Sequence, residues 1–133
     1  MLGKVVLWVS AVMFVSYGLA CFFSPALPAG YAGLEMTNGD AFAEIGAMYG
    51  GLQTGVGLFC ALAALRSEYY RAGLMLLALG IGALALGRFY SLVTGGNPVG
   101  FYTYGALGYE ILTAVLAGIA LRMSADPATP SSA

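Results

Sequence analysis

The chain has 133 residues, of which 60 % are hydrophobic and 8 % charged, whereas about a quarter of the residues of a soluble domain carry charge. With a mean hydropathy of +0.86 it falls in the membrane class and outside that of soluble enzymes. A net charge of −1 speaks against nucleic acid as a partner, because there is no basic stripe to neutralise phosphates.

The first apolar stretch covers residues 5–23 and follows Lys4. Lys4 before an apolar run ending in small residues could be read as a secretory leader. At Cys21 it resembles a lipoprotein signal only weakly, because Gly18 stands where an aliphatic residue is needed. A retained helix is expected. The second stretch covers 42–65, the third 72–93 and the fourth 104–121. Each has the roughly 17 to 25 residues that a helix needs to cross the hydrocarbon layer. Connections of about 18, 6 and 10 residues join them, and the small polar tail 124–133 is expected to be disordered. The expected fold class is therefore all-α: an integral membrane four-helix bundle forming a single domain over residues 1–123.

Lys4, Arg66, Arg71 and Arg122 fall at one end of such a bundle, whereas the first loop carries Glu35 and Asp40. Loops on the cytoplasmic side carry the excess of Lys and Arg, so both termini are expected in the cytoplasm. Cys21 and Cys60 stand near opposite ends of their helices. Their depths differ by on the order of 20 Å, too far for a disulfide, which makes them packing residues.

Three ionisable residues lie inside the stretches. Glu44, Arg88 and Glu110 should stand roughly 3, 8 and 9 Å below the same end of the bundle. Tyr17 is at a similar depth, with Tyr49 and Gln53 continuing the polar path. Charges inside a bilayer are expensive, so Arg88 and Glu110 are expected to face the interior and find partners. If one carboxylate pairs with Arg88, the other becomes a candidate general acid or base; Glu110 and Glu44 are the candidates. The bland alternative is an ion-paired brace that fixes helix register.

Helix phase puts Ala106, Thr113, Ala114 and Ala117 on the Glu110 face, a run of small side chains suited to close helix contact. In the second helix Gly51 and Gly55 share the Glu44 face, while Gly46, Gly50 and Gly57 join Tyr49 and Gln53 opposite. The second helix is thus expected to be buried on both sides, with its glycines serving packing. The similar positions of Glu44 and Glu110 also hint at a duplicated helical hairpin.

The segments 44–57 (EIGAMYGGLQTGVG) and 87–91 (GRFYS), together with Glu110, resemble a bacterial family of small four-helix proteins known as domain of unknown function 4345, similar to the wider DoxX-like group. The resemblance covers nearly the whole chain. It implies a bacterial inner membrane location and marks Glu44, Tyr49, Gly50, Gly51, Arg88 and Glu110 as recurrent polar or small positions. It implies no settled activity. Unlike DoxX-like proteins tied to thiol chemistry, this chain has no paired cysteines.

The absence of histidine removes imidazole ligands and bases. The single lysine, Lys4, is terminal and cannot form an intramembrane Schiff base. Neither metal nor cofactor is expected. The leading expectation is a binding or accessory role, in which Arg88 holds the polar head of a lipid, isoprenoid or quinone. In that reading Glu44 and Glu110 orient the head, and Tyr17, Tyr49, Gln53 and Tyr109 line the site. The alternatives are an acid–base enzyme acting on a hydrophobic substrate, passage of a proton along Glu44, Tyr49, Gln53 and Ser10, and a structural subunit. The small-residue faces are compatible with a homo-oligomer or a larger membrane complex.

Overall fold

The computed structural model describes residues 1–124 and is all-helical over them. Four helices are long and apolar enough to span a membrane: α1 (Leu2–Phe23), α3 (Gly39–Leu65), α4 (Ser67–Thr94) and α5 (Phe101–Met123). A short helix, α2 (Ala26–Ala32), lies in the first connection. In hydrocarbon a backbone amide finds no water, so helices that satisfy their own hydrogen bonds are the stable way across. Large apolar side chains such as Val12, Leu58, Leu86 and Val115 are exposed, as a lipid-facing surface requires.

Hydropathy alone places the helix ends short of where the backbone puts them. α3 begins at Gly39, three residues before the apolar run, because Asn38 caps it: its Oδ1 accepts from the Ala41 N–H at 2.9 Å. α4 begins at Ser67, so the expected six-residue loop shrinks to one extended residue, Arg66, at φ −114° and ψ 119°. The polar run 67–71 reads as a loop by hydropathy, yet it continues the helix beyond the apolar layer. α2 was also not expected; it ends at Gly33, whose φ of 67° suits a residue without a Cβ. The expected disordered tail lies outside the described residues except for Ser124. The Ser124 hydroxyl donates to the Leu121 carbonyl at 2.8 Å and accepts from Arg71 Nη1 at 2.9 Å, tying the start of α4 to the end of α5.

α1 lies against α3 along most of its length, and α5 against α4. Glycine makes the first of these contacts close. A Cβ on Gly57 would stand 2.7 Å from the Val15 backbone nitrogen, one on Gly50 2.6 Å from the Phe22 Cα, and one on Gly18 2.6 Å from the Thr54 nitrogen. Without a hydrophobic drive between helices in lipid, such backbone approach supplies the van der Waals attraction. Gly51 and Gly55, by contrast, face open space, so the expectation that α3 is buried on both sides is corrected. A six-residue π turn, Gly46–Gly51, interrupts α3. The expected split of faces nonetheless holds: Glu44, Gly51 and Gly55 are on the open side, and Gly50 and Gly57 are buried against α1; what was not expected is that the open side has no neighbour.

The core lies at the end bearing Lys4, Arg66, Arg71 and Arg122, termed here the basic end. Leu7, Cys60, Leu74, Leu77 and Ala117 are all 0 % exposed there and belong to one cluster. Towards the opposite, outer end the packing is uneven. α3 and α4 meet through their basic halves, while their outer halves make little contact with each other. The bundle is closed at one end and splayed at the other.

Gly57→Val is expected to destabilise the bundle by about 1–3 kcal/mol, the usual cost of overpacking, while Gly55→Ala should be neutral or stabilising. Thermal denaturation of the two variants in detergent checks the contrast.

Candidate functional site

Arg88 lies in the outer half of α4 and Glu110 in the third turn of α5. Arg88 Nε donates to both Glu110 oxygens, at 3.1 and 2.9 Å, and Nη2 donates to Oε1 at 2.7 Å. This is the one ion pair among the described residues. Glu110 is 4 % exposed. Its face of α5 carries Leu107, Thr113 and Ala117, all buried, so the carboxylate is enclosed by small and apolar groups. An enclosed carboxylate needs a charged partner held in fixed geometry, and the side-on guanidinium fork supplies it. Nη1 of Arg88 has no acceptor among the described residues.

Arg88 lines an open cleft of about 480 Å³ with Tyr49 of α3, Ala83, Leu84, Gly87, Ser91 and Leu92 of α4, and Val99 and Thr103 beyond it. The cleft occupies the gap left where the outer halves of α3 and α4 diverge. On the other side of the bundle α1 and α5 approach each other: the Tyr17 and Tyr102 hydroxyls stand 3.3 Å apart, and Tyr31 of α2 stacks on Tyr102 at a centroid distance of 6.3 Å. The outer half is therefore closed along α1–α5 and open along α3–α4.

Several expected members of the site stand elsewhere. Glu44 is exposed in the second turn of α3 and makes no ion pair, so Glu44, Arg88 and Glu110 do not form a triad. The physical reason is the splay of α3 from α4, which carries the Glu44 turn away from Arg88. Tyr109 packs edge-on against Phe14 at 6.2 Å, and its hydroxyl is buried without a partner. It belongs to the α1–α5 seam and not to the cleft wall. Tyr17 belongs to that seam as well, through Tyr102. Gln53 is half-buried and does not line the cleft. Ser10 is 1 % exposed, its hydroxyl unpartnered within the core. Of the expected residues, Tyr49 and Arg88 line the cleft, with Glu110 behind Arg88.

Ser91, Thr103 and Tyr102 were missed. Ser91 and Leu84 were legible in principle, since they lie three and four residues from Arg88 on one helical face. Thr103 and Tyr102 precede the apolar run of α5, where the sequence reads as loop. Cys21 and Cys60 are both free and 0 % exposed, as packing residues would be. Among the described residues no three of His, Cys, Asp and Glu gather closely enough to hold a metal ion.

Chemically, the arrangement offers an immobilised, charge-balanced donor. Both Glu110 oxygens are engaged, so this carboxylate acts as a counter-ion and not as a free base.

Residues 2–121 match the family described as a domain of unknown function (DUF4345). Comparison with curated proteins and with solved structures gives no match.

Arg88→Ala should cost about 3–5 kcal/mol, because it strands the buried Glu110 carboxylate, and Glu110→Ala less, because the Arg88 side chain it leaves is a quarter exposed. The double variant Arg88→Met/Glu110→Leu should recover most of that loss, and Glu44→Gln should change stability by less than about 0.5 kcal/mol. Denaturation of the four variants in one detergent gives the comparison.

Proposed function

Because this chain belongs to the family described as a domain of unknown function (DUF4345), a description that carries no activity, we propose its function from the site alone: it binds an amphiphilic, lipid-like molecule between the outer halves of α3 and α4. The observation that carries the reading is the coincidence of an open cleft between membrane-spanning helices with the Nη1 of Arg88, which has no acceptor among the described residues, on its wall. Arg88 holds the polar end, and Glu110 fixes the Arg88 side chain. Tyr49 stands across the cleft, and Ala83 and Leu84 carry the apolar part. Acid–base catalysis has less support. It needs an unpaired carboxyl within the cleft, whereas Glu110 is fully engaged and Glu44 is exposed outside it.

The same reading includes kinship with the wider DoxX-like group and a bacterial inner membrane location with both termini in the cytoplasm. The exposed basic end, with Lys4, Arg66, Arg71 and Arg122, supports that orientation. A second reading, that the chain is a subunit of a homo-oligomer or of a larger membrane complex, is favoured by Gly51 and Gly55, which leave part of α3 open. Cross-linking in native membranes is expected to give discrete higher species if that face is covered; monomer alone would dismiss this reading.

Native mass spectrometry from mild detergent tests the binding role. The wild type is expected to retain a small-molecule adduct, and the folded Arg88→Met/Glu110→Leu variant to lose it. Equal occupancy in both forms would count against the site.

A further inference from the structure

The chemistry of the cleft narrows the ligand further, on the premise that the binding reading above holds. We propose that the polar end recognised at Arg88 is an uncharged acceptor, a carbonyl oxygen of an ester or ketone, and not an anionic headgroup.

Charge gives the first reason. Among the described residues the guanidinium is the only permanently charged group lining the cleft, yet its charge is already balanced by Glu110, held directly behind it at 2.7 Å. An anion entering the cleft would lose its hydration and meet a pair of zero net charge. Its attraction to the guanidinium would be largely cancelled by the carboxylate a few ångströms further on, so its desolvation would go uncompensated. A carbonyl oxygen carries no such penalty. It needs one well-placed donor, and Nη1 of Arg88 has no acceptor among the described residues, whereas Nε and one N–H of Nη2 are committed to Glu110. A donor left without a partner in this setting is itself costly, so a neutral acceptor stabilises it.

Depth gives the second reason. Arg88 precedes the end of α4 at Thr94 by six residues, or about 9 Å along the helix. A phosphate belongs at the interface, at the level of the helix end. At the level of Arg88 an amphiphile of the bilayer presents its ester or ketone oxygens. The remaining polar groups of the cleft, the hydroxyls of Tyr49, Ser91 and Thr103, are neutral and extend the same preference towards the surface. Among the described residues no second cation stands in the cleft to hold an anion from the other side.

Two photoreactive probes of equal chain length, an alkyl methyl ketone and an alkyl sulfonate, discriminate the classes when offered to the full chain in lipid nanodiscs. The ketone is expected to label residues of the α3–α4 cleft about tenfold more than the sulfonate, equivalent to roughly 1.4 kcal/mol. Glu110→Gln, which uncovers the charge of Arg88, is expected to reverse that preference. Stronger cleft labelling by the sulfonate in the wild type would overturn the neutral-acceptor assignment while leaving the binding site in place. Failure of both probes to label the cleft would overturn the site together with its assignment. The wild-type comparison alone decides between the two classes, so the result does not hang on the folding of the variant.

Discussion

A guanidinium and a carboxylate set inside an apolar layer have to be held against each other, and that requirement governs how the outer half of this bundle is built. Glu110 can be 4 % exposed only because Arg88 spends two of its nitrogens on it. The pair joins α4 to α5 outside the main apolar cluster, whose fully buried members Leu7, Cys60, Leu74, Leu77 and Ala117 lie towards the basic end. Nothing comparable joins α3 to α4 at that level, and α3 follows α1 instead, through the glycine contacts at Gly18, Gly50 and Gly57. Two tightly associated pairs, α1 with α3 and α4 with α5, thus share one core at the basic end and part company above it on one side.

The cleft arises from that division. Its rear is closed by the hydroxyl contact of Tyr17 with Tyr102, over which α2 places Tyr31; its front has no counterpart. A charged group beside an opening between membrane-spanning helices would be a liability if it were unbalanced. Pairing removes the net charge and leaves the N–H groups of Nη1 free to donate, the feature on which the proposed recognition rests.

Much of this was legible in the sequence, and the limits are physical ones. The all-helical membrane class comes from composition and the length of the apolar runs. Arg88 and Glu110 announce themselves because charge at that depth needs a partner. The features hidden from the sequence were mostly a matter of neighbours and of ends. The faces of α3 follow ideal helix phase, with Gly50 and Gly57 against α1 and Gly51 and Gly55 opposite, but phase does not say whether the second face meets a neighbour. The helix ends were hidden too: the Asn38 cap extends α3, and α4 starts at Ser67 inside a polar stretch that hydropathy takes for a loop. Glu44 shows the remaining gap. A common depth along the membrane normal says nothing about lateral distance, and the splay of α3 from α4 could not be read from either helix separately.

The splay itself is the claim on which the cleft, the ligand and its chemistry all depend. It is tested most directly by pulsed electron-resonance distances in lipid bilayers between spin labels on α3 and α4. One pair would be placed in the outer halves, at Met48 and Leu86, and a reference pair near the basic end, at Leu62 and Tyr69. All four side chains are at least 40 % exposed, whereas the native Cys21 and Cys60 are 0 % exposed and should escape labelling. A longer and broader distance distribution is expected for the outer pair than for the reference pair. An outer distance as short and narrow as the reference would mean that α3 and α4 close along their whole length, and the cleft at Arg88 would not exist in the membrane.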